Sequence, residues 1–200
     1  MATVEFFYDC SSPWTYLAFH RIEEICAATG AQLAWRPILV GGVFNAVNRS
    51  VYEHRAKPVP AKARYYRKDL QDWARATGLD IGEPPVFPVN SVKAMRGAFV
   101  ALDAGCISAY SRAVFESYWR DLEDISQDPV LGRIVARVGL PAAAFFREIA
   151  SPEIKARLRE NTDLLIQRGG FGSPTCFVDE SDMYFGNDRL SLVERALGPR

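Results

Sequence analysis

β-forming sequence occurs only at the two ends of this 200-residue chain, and that placement constrains the fold more than any other feature. "TVEFFY" (3–8) is aromatic and β-branched, as a buried strand is. From Pro13 to Ala28, Trp14, Leu17, Ala18, Ile22, Ile25 and Cys26 recur at helical spacing. Pro13 suits the first helical turn and Gly30 the stop. "QLAWRPIL" (32–39) completes a strand–helix–strand unit, whose crossover is expected to be right-handed. Strands then cease. "GGVFNAVNRS" (41–50) reads as a loop and "EHRAKPVPAK" (53–62) as a proline-bearing connection. Helical periodicity resumes at about Lys62, with Tyr66, Leu70, Trp73 and Ala74 on one stripe. "GEPPVFPVN" (82–90) breaks the chain, and helices follow at about 91–104, 107–121, 129–138, 141–149 and 152–168. β character returns in "TCFVD" (175–179) and "MYFG" (183–186), ahead of a final helix at about 189–197. The two ends are therefore expected to pair in one four-stranded mixed sheet of an α/β protein, interrupted by a large all-helical insertion. Residues 1–40 and 170–200 would form one discontinuous domain, and 41–169 the inserted helices with their connecting loops.

Composition excludes several classes of function. Lys plus Arg and Asp plus Glu both total 24, so no basic bias points to nucleic acid. No 18-residue apolar run predicts a membrane span, and the first residues lack the pattern of a signal peptide. Cys10, Cys26, Cys106 and Cys176 are scattered, unlike a disulfide framework or zinc site, and read as reduced thiols of a cytoplasmic protein. His20 and His54 share no ligand spacing, and no metal is expected.

The first strand-to-helix turn carries the chemistry. "FFYDCSSPWTYLAF" (6–19) runs from an apolar strand through Asp9 into a helix at Pro13, the place where thioredoxin-like proteins carry Cys-Pro-x-Cys. The corresponding residues here are Ser12-Pro13-Trp14-Thr15. Thr15 cannot resolve a disulfide, and Cys10 lies on the wrong side of Ser12 for a redox pair. Ser12 sits where first-turn N–H groups and the helix dipole favour an anion, although a serine there also serves as an ordinary N-cap. The two roles are compatible: a hydroxyl can cap a helix and donate to a thiolate supplied from outside.

Five segments in order resemble the 2-hydroxychromene-2-carboxylate isomerases, relatives of kappa-class glutathione transferases and of DsbA. They are "FFYDCSSPWTYLA", "PVPAKARYYRKDLQDWA", "ESYWRDLEDIS", "RGGFGSPTCFVD" and "MYFGNDRLSLVE". Together they span the chain. The resemblance implies a thioredoxin-like fold, a glutathione cofactor, a homodimer and an aromatic carboxylate substrate drawn from hydrocarbon catabolism. Asp9, Ser12, Pro13, Tyr16 and Leu17 match the family's Asp-x-x-Ser-Pro-x-x-Tyr-Leu, which points to Ser12 as the glutathione-activating residue and leaves Ser11 as a neighbour.

The same resemblance assigns further contacts. Ser173-Pro174 matches the cis-proline loop, where Ser173 would hold the cysteinyl backbone of glutathione as an added strand would. Asn187 and Asp188 match the pair that binds the γ-glutamyl end, although either residue type also caps helices. Lys62 matches a lysine serving the glycyl carboxylate or the substrate, and is the candidate cation for a developing enolate. Asn48 lies near the family's loop asparagine, with Asn45 competing for that role. Trp14 is a candidate for the acceptor pocket; Trp73, Tyr118 and Trp119 read as core anchors. The expected activity is a glutathione-dependent isomerisation, with a kappa-like transferase as the alternative. A disulfide oxidoreductase or a non-catalytic thioredoxin-like binding module ranks below both.

Overall fold

The computed structural model describes residues 2–198. Its sheet has the order β2-β1-β3-β4, from β1 (Thr3–Tyr8), β2 (Gln32–Pro37), β3 (Thr175–Val178) and β4 (Asp182–Phe185). β1 is parallel to β2, with Phe6 opposite Trp35, and antiparallel to β3, with Phe6 opposite Cys176. The last two strands form a hairpin in which Cys176 faces Tyr184. The ends of the chain thus meet in the expected mixed sheet. Between β1 and β2 runs α1 (Pro13–Thr29), closed by Gly30 at φ 66°, a left-handed position that glycine occupies without steric cost.

The helical segment comprises α2 (Val40–Val47), α3 (Ser50–Ala56), α4 (Pro60–Thr77), α5 (Val92–Asp103), α6 (Ile107–Phe115), α7 (Asp128–Arg137), α8 (Ala142–Ile149) and α9 (Pro152–Gln167). A π-helical turn at Glu116–Arg120 extends α6, a 3-10 turn at Asn187–Arg189 follows β4, and α10 (Leu190–Leu197) ends the described chain. No described strand falls within 90–165. The larger buried cluster joins sheet and helices through Phe6, Tyr8, Leu17, Phe19, Phe115, Tyr118 and Leu131. A smaller one packs Phe7, Ile38, Val43, Leu165 and Phe177. Each large apolar side chain removed from water contributes about 1.5–3 kcal/mol to this assembly.

Three readings of the connections need correction. The stretch 41–50 is mostly helix, not loop: Val40 and Val43 bury one face of α2, and donors at its start are satisfied from far along the chain. α3 reaches into the proline-bearing connection, carries His54 and Arg55 and buries none of its residues. The next helix starts at Pro60, before Lys62, because proline fits the first turn without its missing N–H being felt. On α4, Ala74 is buried and Leu70 and Trp73 partly so, but Tyr66 is 61% exposed.

No described helix is long and apolar enough to cross a membrane. Buried Glu5 on β1 pairs with Arg36 at 2.7 Å and with Arg168 at 2.5 Å. The Arg168 guanidinium also lies 3.8 Å from the Phe177 ring centre. These contacts fasten the end of α9 to the sheet just before the chain turns into the Gly169–Pro174 loop.

Candidate active site

Asp9 ends the apolar run of β1 and is completely buried. Its carboxylate accepts the Ser11 N–H at 2.9 Å, the Val40 N–H at 2.8 Å and the Ser91 hydroxyl at 3.0 Å. Its own N–H donates to Ser173 Oγ at 3.0 Å, and its carbonyl accepts the Ser12 N–H at 3.3 Å. One residue therefore joins the first turn, the starts of α2 and α5, and the loop before β3. Burial pushes the Asp9 carboxyl up from the ordinary carboxylate range, while the Ser11, Val40 and Ser91 donors pull it back.

On this base Ser12 forms the N-cap of α1, with φ −107° and ψ 124°. Its Oγ accepts the Thr15 N–H at 3.3 Å and donates to the Ser173 carbonyl at 3.2 Å. Thr15 Oγ1 shares a 2.8 Å hydrogen bond with Ser173 Oγ. The Ser173–Pro174 bond is cis, as the resemblance implied, and so is Phe87–Pro88, which sequence reading did not anticipate. The Ser173 N–H donates to no acceptor among the described residues. Hydroxyl, helix N-terminus and an unused strand-like N–H thus converge.

Pro174 carries the arrangement onward. Its carbonyl accepts the Gly186 N–H at 3.0 Å, which seats the Asn187–Arg189 turn beside the proline loop. Asn187 is buried, yet its side-chain amide bonds to no described residue; Asp188 is about half exposed and pairs with Arg189. Both groups suit the polar end of a peptide ligand.

The remaining predicted residues are arranged differently. Asn48 acts as a strut: its Nδ2 donates to the Phe171 carbonyl at 3.1 Å, and its Oδ1 accepts from Ser50 at 2.9 Å. Asn45 accepts from the Tyr52 hydroxyl at 2.9 Å. Lys62 is exposed in the first turn of α4 and forms no ion pair among the described residues. It lies one turn before Tyr66, whose ring meets Trp14 edge-on at 6.1 Å, so α4 borders the turn that holds Ser12. Ser11 donates its N–H to Asp9 Oδ1, and its hydroxyl also steadies that carboxylate.

Cys10 points into the core: it is 2% exposed, its N–H meets Met95 Sδ at 3.3 Å, and its carbonyl accepts the Trp119 indole N–H at 2.9 Å. Burial pushes its thiol well above the ordinary range. Trp119 and Tyr118 are core residues as expected, and Trp73 is a partly buried one. Sequence reasoning overlooked Thr15 as the partner of Ser173 and Asp9 as the common anchor. The signal for Asp9 was an acid closing the apolar run Phe6-Phe7-Tyr8.

The model of the DSBA-like thioredoxin domain matches residues 3–198. A 2-hydroxychromene-2-carboxylate isomerase of Pseudomonas sp. (strain C18) is 32% identical, covering 98% of this chain and 90% of that relative. The chain belongs to the 2-hydroxychromene-2-carboxylate isomerase family. Glutathione S-transferase kappa 1 of Homo sapiens is 27% identical, covering 99% of this chain and 92% of that protein. A solved 2-hydroxychromene-2-carboxylate isomerase superposes with a TM-score of 0.83 at 27% identity, covering 98% and 94% of the two chains. These relatives place the protein among DsbA-like isomerases and transferases with the thioredoxin fold.

Proposed function

We propose that the protein is a glutathione-dependent isomerase that converts 2-hydroxychromene-2-carboxylate, or a closely related aromatic acid, to a trans-benzylidenepyruvate-type product. The observation that carries this reading is the meeting of the Ser12 hydroxyl, the α1 N-terminus and the Ser173 N–H, which has no acceptor among the described residues. Bound glutathione would supply a thiolate that adds to the conjugated substrate and is expelled after ring opening and bond rotation, so that none is consumed.

The residues present fit that cofactor. Ser173 offers an N–H donor and a carbonyl for an extended cysteinyl backbone. Asn187 has an uncommitted amide for a carboxylate, and Asp188 a carboxylate for an ammonium. Ser12 would turn its hydroxyl from the Ser173 carbonyl toward sulfur, while the helix end supplies a positive field. Lys62, in the first turn of α4, would balance the enolate charge that develops during the reaction.

The test is ultraviolet turnover of 2-hydroxychromene-2-carboxylate with and without glutathione. Dependence on catalytic amounts of glutathione, recovered intact, is the expected result; turnover without it overturns the reading. Stoichiometric loss of glutathione would favour a kappa-like transferase, an alternative supported by the human relative's name. Homodimerisation in the cytoplasm belongs to the same proposal, and a monomer in sedimentation at micromolar concentration would remove that part.

A further inference from the structure

Arg55 on α3 has an unusual setting for an exposed cation. Its guanidinium lies 5.7 Å from the Phe44 ring centre and 5.4 Å from that of Phe87, within reach of both faces. It forms no ion pair among the described residues, and Phe87 stays 50% exposed beside it. Such a group is neither a buried structural charge nor a neutralised one.

Its neighbours lead directly to the reaction centre. Phe87 packs 6.1 Å from Trp119, whose indole N–H is bonded to the carbonyl of Cys10. Phe44 lies on α2, whose first N–H is held by Asp9. Arg55 is thus joined from two sides to the residues just before Ser12. Across the turn, Trp14 and Tyr66 supply another aromatic edge. The surrounding field has the same sign. Residues 49–75 hold eight Lys and Arg against three Asp and Glu, in a chain of net charge zero.

A guanidinium that rests on ring faces keeps its edge donors for a planar, two-oxygen acceptor. We propose that Arg55, framed by Phe44 and Phe87, is the seat for the carboxylate of a planar aromatic acid, with its ring against those side chains. Arg55, and not Lys62, then sets the preference for acids over neutral analogues. The inference rests on Ser12 being the reaction centre and names the specificity element of that site.

The probe is trans-cinnamate, compared with its neutral analogue cinnamamide, each titrated calorimetrically into glutathione-loaded protein at pH 7. The wild type should bind the acid about tenfold more tightly, as one charge-assisted contact predicts. Arg55→Gln should bind both alike, with its cinnamamide and glutathione affinities and its melting temperature unchanged. Lys62→Gln should keep the preference. An Arg55→Gln protein that still favours the acid, a wild type without preference, or a preference lost in Lys62→Gln would each overturn the assignment. If 2-hydroxychromene-2-carboxylate is not turned over while the cinnamate preference follows Arg55, the seat stands and the substrate reading falls.

Discussion

The Ser12 hydroxyl donates to the Ser173 carbonyl over 3.2 Å, joining the first helix turn to the cis-proline loop. A ligand backbone docking on Ser173 would meet the serine that is to activate its sulfur, so binding and activation share one atom pair. Ser12→Ala should raise the apparent pKa of bound glutathione's thiol and cut turnover strongly. Loss of the Thr15 cap should also lower stability by about 1 kcal/mol. Ser11→Ala should be nearly silent by comparison, since its N–H bond to Asp9 survives the substitution. Thiolate absorbance against pH reads the difference; a silent Ser12→Ala beside an inactive Ser11→Ala would refute the assignment.

Asp188 bears on the other end of the same ligand. The residue is half exposed and paired with Arg189, so removing it leaves no buried charge unpaired. Asp188→Ala should weaken glutathione binding by about 1–2 kcal/mol and hardly change the melt. A lower melting temperature with undiminished affinity would make Asp188 a cap and nothing more.

Asp9 links stability to pH. Because burial raises its carboxyl in the folded protein, its contribution is complete below the ordinary value of about 4 and is lost as pH rises through the raised folded value. Asp9→Asn removes that titration and turns an amide N–H₂ toward donors, costing about 1–3 kcal/mol. The melting-temperature advantage of the wild type over Asp9→Asn should therefore grow from pH 7 toward pH 4. A shrinking advantage would mean that the three donors outweigh burial.

The cysteines offer a test of the thiol-free turn. Cys10, Cys26 and Cys176 are buried, burial pushes the Cys26 thiol up to about 11, and Cys106 is only partly covered. A disulfide reagent at pH 8 should label Cys106 first and Cys10 only on unfolding. Rapid labelling of Cys10 in the native protein would reopen the oxidoreductase alternative.

Local pattern was enough for some of this and not for the rest. The βαβ start and the terminal hairpin were legible because their strands are apolar and their turns carry proline and glycine. Ser12-Pro13 was singled out by its place at the strand-to-helix turn together with the family resemblance. The helix at Val40 was not: Gly41 and Gly42 read as breakers, yet Asp9 and Thr162 satisfy donors at its start. A Cβ on Gly42 would come within 3.3 Å of the Thr162 methyl, so glycine there serves close packing against α9. Arg55 was hidden likewise, since its ring partners lie 11 and 32 positions away in sequence. Nothing local announced that Asn48 would brace the Phe171 carbonyl across the fold.

Gly186 is where backbone geometry and ligand site coincide. Its φ of 102° and ψ of 154° belong to a region that essentially only glycine occupies, and its N–H holds the Pro174 carbonyl. A Cβ there would come within 2.6 Å of Asp188 Oδ1. Gly186→Ala should cost about 1–3 kcal/mol in stability. The strain would also push Asp188 and the Asn187 turn away from the proline loop, so glutathione affinity should fall more than in Asp188→Ala alone. Chemical denaturation and calorimetric titration of the two single variants measure both effects. If Gly186→Ala lost stability but bound glutathione like the wild type, the Asn187–Asp188 turn would not be part of the site.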